Sequence, residues 1–264
     1  MTFRDLHRPG DPFVLVNVWD LGTARMAAAL GAQALATSSA AHAFTMGRGD
    51  GGTITRDEAL AHAQEIVAAT DLPVNGDFEN GFGDDPDTCA ETVRLAAEAG
   101  LAGIGIEDTN LAESTHYPFD LTVERIRAAA ASARALSGDF VLTARADGVM
   151  EGTYGITEAI ARIKAFAEAG ADCLYVPMPE TADDLRTILG ATDVPVNVLA
   201  SGPWAATTRD AFADLGAARI SLGAALSRAG LQTIHDALRA MLDGGDFSPL
   251  GRALPGDEVE RVLG

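Results

Sequence analysis

Eight short apolar runs, each followed by an alanine-rich segment of helical spacing, are the feature that most constrains the fold of this 264-residue chain. Several of these segments end on a glycine before the next run begins, in the similar closures AALGAQAL, AEAGLAGI, AEAGADCL and ADLGAARI. The runs predict strands at 13–18, 33–37, 73–77, 103–107, 140–144, 173–176, 196–200 and 219–222. Helices are expected at 22–30, 56–69, 87–99, 121–136, 156–169, 182–189, 209–215 and 231–242.

Eight such units match the size of a single (β/α)8 barrel of the TIM type, whereas a doubly wound sheet more often has fewer strands and less chain. No break in composition marks a second domain, so residues 1–264 are predicted to form one domain. The tail, from about 243 to 264, carries turn residues and then a short charged segment. We expect it to pack on the barrel or on a neighbouring subunit.

The charge balance limits the partners. The 38 acidic residues outnumber the 19 basic ones, and the formal charge of -19 argues against non-specific binding to nucleic acid or to an anionic membrane. An anionic substrate would therefore need local positive charge, from a metal ion or a few arginines. The two cysteines favour a reducing compartment, and neither a membrane-spanning run nor the apolar core of a signal peptide is seen. A cytoplasmic protein is expected.

Three acidic residues are expected to meet at the carboxyl rim of the barrel, where the chemistry of this fold lies. Asp77 and Glu79, in VNGDFENGFG, are two residues apart, and Glu107 ends the next strand. Carboxylates this close need protons or a cation to offset their repulsion, and hard oxygen ligands suit Mg2+ or Mn2+ better than zinc. The alternative is that these acids cap helices or lie solvated in loops.

Other polar residues follow or interrupt the apolar strands. Arg145 closes a strand in LTARAD, where a guanidinium needs an anionic partner: either a substrate carboxylate, or Asp147 or another acid of the rim. Asn197 lies within VPVNVLAS and must find hydrogen bonds from a substrate oxygen or from neighbouring backbone. Trp19 and Asp20 follow the first strand and are also predicted to contact the substrate.

Two long loops carry further candidates. The loop SSAAHAFTMGRGDGGTIT is longer than usual, which favours a glycine-rich lid that carries Asp50 over the site. The loop DTNLAESTHYPFDL holds Glu113 and His116, which could act as general acid or base, although a lone loop histidine can equally be a solvated residue.

Together these motifs resemble the isocitrate lyase and phosphoenolpyruvate mutase superfamily. The resemblance runs from NVWDLGTARMAAALGAQALATSS through GDFENGFGD, GIGIED, LTARAD and VPVNVLA to ARISLGAALSRA. It implies that Asp77, Glu79 and Glu107 hold Mg2+, with Mn2+ as a substitute, directly or through water, and that Asp50 is a lid aspartate near the metal. It also implies a cradle for the substrate carboxylate, made of Ser38 or Ser39 and the backbone that follows at Ala40, with Arg145 and Asn197 as further substrate contacts.

One departure from the superfamily pattern bears on the reaction. Lyases for isocitrate and methylisocitrate carry a Lys-Lys-Cys-Gly-His loop after the fourth strand, whereas this chain reads TNLAESTHYP and has no cysteine there. The Lys-Thr-Asn-Ser type of loop that accompanies phosphonate chemistry is also missing. The scaffold and the enolate machinery are therefore better supported than any one reaction.

The resemblance implies a Mg2+-dependent lyase or decarboxylase that acts on a small 2-oxo or 2-hydroxy carboxylate through an enolate of a pyruvate-like unit. Decarboxylation of an oxaloacetate-like acid tolerates the missing cysteine, whereas a retro-aldol lyase would need His116 or Glu113 to deprotonate the hydroxyl. Carbon–phosphorus chemistry on a phosphonopyruvate-like acid and non-catalytic binding of 2-oxo acids are the alternatives. Members of the superfamily often exchange a C-terminal helix between barrels, which implies a homodimer or homotetramer.

Overall fold

Eight parallel strands close into a barrel in the computed structural model, which describes residues 2–264. The strands of the chain, including a two-stranded hairpin formed by the fifth and sixth, are β1 (Phe13–Asn17), β2 (Ala34–Ala36), β3 (Val74–Asp77), β4 (Gly103–Glu107), β5 (Thr109–Asn110), β6 (Thr115–His116), β7 (Val141–Arg145), β8 (Cys173–Tyr175), β9 (Val196–Leu199) and β10 (Arg219–Ser221). Around the barrel their order is β1-β10-β9-β8-β7-β4-β3-β2. The predicted (β/α)8 barrel is confirmed.

The helices surround this barrel and follow its strands. They are α1 (Leu21–Ala29), α2 (Ser39–Thr45), α3 (Arg56–Ala69), α4 (Pro86–Glu98), α5 (Phe119–Ala135), α6 (Gly148–Glu151), α7 (Ile156–Ala169), α8 (Ala182–Leu189), α9 (Arg209–Asp214), α10 (Ala225–Gly244) and α11 (Gly256–Leu263). The short helices α2 and α6 and the hairpin β5–β6 were not predicted. Helix α10 begins at Ala225 and not at 231, because a long helix tolerates the cost of about 1 kcal/mol that an interior glycine such as Gly230 imposes.

Side-chain caps fix several helix starts at the carboxyl rim. Asp20 accepts a hydrogen bond from the backbone N–H of Thr23 at 2.7 Å, and Thr55 and Glu58 form a capping box at the start of α3. Glycine allows close packing of neighbouring strands, since a Cβ at Gly103 would lie 2.4 Å from the carbonyl oxygen of Val141. The caps fix the chain at the carboxyl rim, and the close approach of β4 to β7 at their first residues packs the barrel at its other end.

The C-terminal helices differ in how they are covered. Helix α11 packs on α1, where Val262 is buried and Arg25 Nη1 donates to the carbonyl oxygen of Leu263 at 3.3 Å. Helix α10 instead leaves large apolar side chains exposed: Leu226, Leu231, Ile234, Leu238 and Leu242. None of the helices in residues 2–264 combines the length and the apolar content needed to cross a membrane.

Candidate active site

A cavity of about 370 Å3 opens where the barrel strands end. Its wall includes the last residues of β3, β4 and β7, which are Asp77, Glu107 and Arg145. The residues predicted for the site that line this cavity are Ser38, Ser39, Ala40, Asp50, Asp77, Glu79, Glu107, Arg145 and Asn197. The structure therefore brings most of the predicted site residues to one place.

Arg145 is the centre of this site. Its Nη1 donates to Asp77 at 3.0 Å, its Nη2 lies 3.1 Å from Glu107, and its Nε donates to Asp147 at 3.1 Å. Burial acts against the charge of the guanidinium, but the carboxylates of Asp147, Glu107 and Asp77 outweigh it and raise the pKa of Arg145 well above its ordinary value. Of the two partners predicted for Arg145, the ion pairs with Asp147 and other rim acids are present in the structure.

The acids around Arg145 carry more negative charge than one guanidinium offsets. Burial raises the pKa of Glu79 to about 7, and the neighbouring Asp77 and Asp50 add to that rise. Burial likewise raises the pKa of Glu107 well above its ordinary value, although Arg145 counteracts the shift. Burial also raises the pKa of Asp147. Shifts in this direction mean that added positive charge would be favourable here.

The chemistry of these donors fits a hydrated divalent cation. Asp77, Glu79 and Glu107 offer only oxygen atoms, and Mg2+ usually retains several waters beside one or two carboxylates. Within the described part of the chain, no three His, Cys, Asp or Glu side chains are grouped closely enough to ligate a metal ion together. The structure therefore does not bring Asp77, Glu79 and Glu107 close enough for all three to ligate one ion directly, and a cation here would need water to complete its coordination.

The backbone at Glu79 is unusual. Glu79 has a φ of 44°, in the left-handed region that residues other than glycine seldom adopt. Its Oε1 accepts a hydrogen bond from the backbone N–H of Gly52 at 3.1 Å, which ties the loop after α2 to the strand end. Strain of this kind is often retained at functional sites, where surrounding contacts hold it in place.

The glycine-rich loop brings Asp50 to the cavity, as the lid interpretation requires. Gly51 donates its backbone N–H to Asp50 Oδ1 at 2.8 Å. Burial raises the pKa of Asp50, and the charge of Asp77 contributes to the shift. The side chain is thus placed near the same acids that the sequence grouped around a metal.

The start of α2 forms the wall predicted as a carboxylate cradle. Ser39 donates both its backbone N–H and its hydroxyl to Asp77 Oδ2, each at 2.9 Å. Ser38 caps the helix by accepting a hydrogen bond from Ala41 at 3.3 Å, and Ala40 lines the cavity beside it. Ser39 therefore orients Asp77, a contact that sequence reasoning did not suggest.

Asn197 lies in a polar network inside the barrel. Its amide nitrogen donates to Ser221 Oγ at 2.8 Å, and its oxygen accepts from Arg219 Nε at 2.9 Å. Arg219 also donates to Thr143 Oγ1 at 3.1 Å and lines the cavity. Arg219 was not predicted, although an arginine within the apolar run RISL was the signal that could have identified it.

The remaining predicted residues lie outside the cavity wall. Asp20 is the cap of α1, and the carbonyl oxygen of Trp19 lies 2.9 Å from His62 Nε2. Glu113 is exposed on the loop between β5 and β6. Their predicted substrate or acid–base roles find no support in this geometry, because none of the three residues lines the cavity.

His116 was expected to be either an acid or base, or solvated. Only 6% of its side chain is exposed, so it is not a solvated loop residue. Its Nε2 lies 3.4 Å from Oε2 of Glu151, a residue of the cavity wall that was not predicted.

Comparison with known proteins identifies the family of this chain. Residues 3–242 match the family model described as phosphoenolpyruvate phosphomutase. A solved structure from Burkholderia cenocepacia, assigned as a lyase/mutase, superposes with a TM-score of 0.94 at 45% identity and covers 98% of this chain and 93% of that one.

Curated relatives include proteins named as enzymes. The oxaloacetate decarboxylase of Paraburkholderia xenovorans is 29% identical over 96% of this chain and 84% of its own length. The 2-methylisocitrate lyase of Escherichia coli is 32% identical over 72% of this chain and 69% of its own length. The match of a barrel, a rim of acids and a family model over nearly the whole chain leads to one conclusion: this chain belongs to the phosphoenolpyruvate phosphomutase family, within the isocitrate lyase and PEP mutase superfamily of enzymes.

Proposed function

We propose that this enzyme breaks a carbon–carbon bond beside a 2-oxo group in a small 2-oxo or 2-hydroxy carboxylate, with Mg2+ or Mn2+ as cofactor, through an enolate of a pyruvate-like unit. The observation that carries the proposal is the buried Arg145 guanidinium among Asp77, Glu107 and Asp147 in the cavity at the carboxyl rim. The relatives named oxaloacetate decarboxylase and 2-methylisocitrate lyase support this reaction class.

Two kinds of positive charge would serve such a substrate. A divalent cation held by Asp77, Glu79 and Glu107 would supply Lewis-acid stabilisation of negative charge on the substrate oxygens. If Asp77 and Glu107 held a cation, Arg145 Nη1 and the N–H of Nη2 that faces Glu107 would be available for a substrate carboxylate, while Asp147 would still accept from Nη2. Asp147 keeps its hydrogen bond to Nε and so continues to orient the guanidinium.

Decarboxylation is the reaction that the residues of the cavity favour. Both cysteines, Cys89 and Cys173, are buried away from the cavity wall, so neither supplies the acid or base that a cysteine provides in related lyases. Loss of carbon dioxide from an oxaloacetate-like acid needs no protein acid at the leaving group. A volume of about 370 Å3 also suits a small carboxylate.

The assembly in which this chemistry takes place is part of the proposal. We infer a cytoplasmic homo-oligomer, a dimer or tetramer, which is supported by the row of exposed leucine and isoleucine side chains on α10. Nucleic acid and membrane are not expected as partners, because the net charge of -19 opposes binding to anionic surfaces.

The test is metal-dependent turnover. Purified protein with Mg2+ or Mn2+ would be assayed on oxaloacetate, 2-methylisocitrate, 2,3-dimethylmalate and phosphonopyruvate by pyruvate formation. We expect oxaloacetate to be turned over, chelation to abolish activity, and Asp77→Ala to reduce turnover by about 100-fold or more. Asp183→Ala is the matched control, since its side chain is 91% exposed and lies outside the cavity.

The outcomes separate the alternatives. Turnover of phosphonopyruvate alone would show that the enzyme acts on a carbon–phosphorus bond and not on a carbon–carbon bond. Absence of turnover, with 2-oxo acids still raising the melting temperature in the presence of Mg2+, would show that the protein binds 2-oxo acids without converting them.

A further inference from the structure

Glu151 is a cavity acid whose setting differs from that of its neighbours. It ends the short helix α6, and about a third of its side chain, 32%, is exposed at the cavity wall. Its Oε1 accepts a hydrogen bond from Thr109 Oγ1 at 3.2 Å, on the hairpin strand β5. The carboxyl group is thus held from one side while it remains open to the cavity and to water.

The buried side chain of His116 lies next to this carboxyl group. His116 Nε2 lies 3.4 Å from Glu151 Oε2, and its Nδ1 lies 2.8 Å from Thr153 Oγ1. Within residues 2–264, His116 Nε2 is a buried nitrogen with no hydrogen-bond partner. A buried polar atom left unpaired is costly, so its position facing Glu151 calls for an explanation.

The other carboxylate near His116 is that of Asp108, and both of its oxygens already accept hydrogen bonds. Asp108 Oδ1, 3.8 Å from Nε2, accepts from the backbone N–H of Asp147 at 2.9 Å. Its Oδ2 accepts from Tyr154 at 2.6 Å and from Arg162 at 2.9 Å. Glu151 is therefore the acid toward which Nε2 can complete its hydrogen bonding through a small movement.

The remaining acids of the cavity are bound in other ways. Asp77, Glu107 and Asp147 pair with Arg145, and Glu79 accepts from Gly52. Asp50 accepts from the backbone of Gly51. Glu151 is not paired with Arg145. It contacts the hydroxyl group of Thr109 and faces the imidazole of His116, which are the kinds of partner that an acid–base residue uses.

We propose that Glu151 is the catalytic residue that carries the proton to and from the carbon beside the 2-oxo group, and that His116 and Thr109 are positioning residues for it. In decarboxylation the bond from that carbon to the departing carboxylate breaks and carbon dioxide leaves, the electron pair enters the enolate, and the Glu151 carboxyl group gives its proton to that carbon to form a carbon–hydrogen bond. In the reverse direction the carboxylate removes the proton. Water reprotonates the exposed carboxylate, so one solvent proton is consumed per cleavage.

This inference rests on the proposed function, so its test uses pyruvate alone as the probe. Wild-type protein with Mg2+ in D2O is expected to exchange the methyl protons of pyruvate, followed by 1H NMR. Glu151→Gln keeps the shape of the side chain but cannot carry a proton, and we expect it to slow exchange by about 100-fold or more. Glu151→Asp is expected to retain part of the rate. Glu168→Gln, the same change at an exposed acid of α7, should leave exchange unchanged.

Binding of oxalate, a planar dianion that resembles the enolate, tests whether the site is intact. Equal Mg2+-dependent oxalate affinity in the wild type and Glu151→Gln, with exchange lost only in the variant, is the expected result. Wild-type exchange that Glu151→Gln retains in full would overturn this inference and leave the proposed function standing. A wild-type protein that binds oxalate but neither exchanges pyruvate nor turns over any acid would overturn both.

His116 has a separate test because it acts through Glu151. His116→Asn is expected to lower the maximal exchange rate roughly tenfold, while the half-saturating pyruvate concentration and the oxalate affinity stay unchanged. A parallel loss of oxalate affinity would show that His116 only supports the fold of the loop, and would remove it from the proposal.

Discussion

A single buried side chain, His7, is expected to make the stability of the folded protein depend on pH. His7 packs at the amino-terminal end of the barrel against Phe13, and its Nδ1 lies 3.0 Å from the carbonyl oxygen of Phe3, to which it donates. Its Nε2 lies 3.2 Å from Arg219 Nη1 and therefore accepts. Burial, with the nearby charge of Arg219, lowers the pKa of His7 to about 3. The folded protein thus keeps this imidazole neutral.

The sign of the pH effect follows from that shift. Between the ordinary pKa of 6.5 and about 3, the unfolded chain binds a proton at His7 that the folded chain does not. Stability is therefore lost as the pH falls below about 6.5, at up to about 1.4 kcal/mol per pH unit. His7→Gln should show a shallower loss between pH 6.5 and 5 in urea unfolding. The same profile for His7→Gln and wild type would contradict the assignment, and exposed His235→Gln is the control.

The start of α3 gives a prediction at the scale of one element. Thr55 Oγ1 accepts from the Glu58 backbone at 3.3 Å, while Glu58 Oε2 accepts from the backbone N–H of Thr55 at 2.9 Å. Thr55→Ala should lower the free energy of unfolding by about 1 kcal/mol, because two backbone N–H groups lose their caps or their alignment. Thr55→Ser, which keeps the hydroxyl group, should match the wild type in chemical denaturation. Equal losses in both variants would mean that the methyl group, and not the cap, is responsible.

The elements also divide into those that the sequence could predict and those that it could not. Barrel strands and long helices were predictable because each buries an apolar face with a regular period. Helix α2 and the hairpin β5–β6 are too short for a period and depend on distant contacts, such as that of Ser39 with Asp77 and that of Thr109 with Glu151. Tertiary contacts of this kind leave no local pattern in the sequence.

The same division holds for the candidate site. Asp77, Glu107 and Arg145 were identifiable because they end their strands, and strand ends meet at one rim of a barrel. Glu151 reaches the cavity only because α6 turns the chain back, and Arg219 reaches it from the first position of β10. These positions depend on side-chain direction and on a short helix, neither of which an apolar run reveals.

At the scale of the whole molecule, one face of α10 is left uncovered. Leu231, Ile234, Leu238 and Leu242 recur at helical spacing and are all exposed, and Phe247 and Leu250 extend the same apolar character beyond the helix. Burial of one such side chain stabilises by about 1.5–3 kcal/mol, so covering this face with a second copy of the chain would contribute favourably to association. The net charge of -19 opposes that association at low ionic strength.

These opposing effects predict how the proposed oligomer would respond to substitution and to salt. Leu238→Glu should weaken association by about 100-fold or more, because each copy in the interface loses a buried apolar side chain and gains a charge. Gln232→Glu adds the same charge at an exposed polar position of the same helix and should leave the mass unchanged. Sedimentation or light scattering at increasing dilution measures the effect, and added salt should favour the oligomer in both proteins. A monomeric wild type, or an oligomer that Leu238→Glu leaves intact, would mean that this face of α10 does not hold the subunits together.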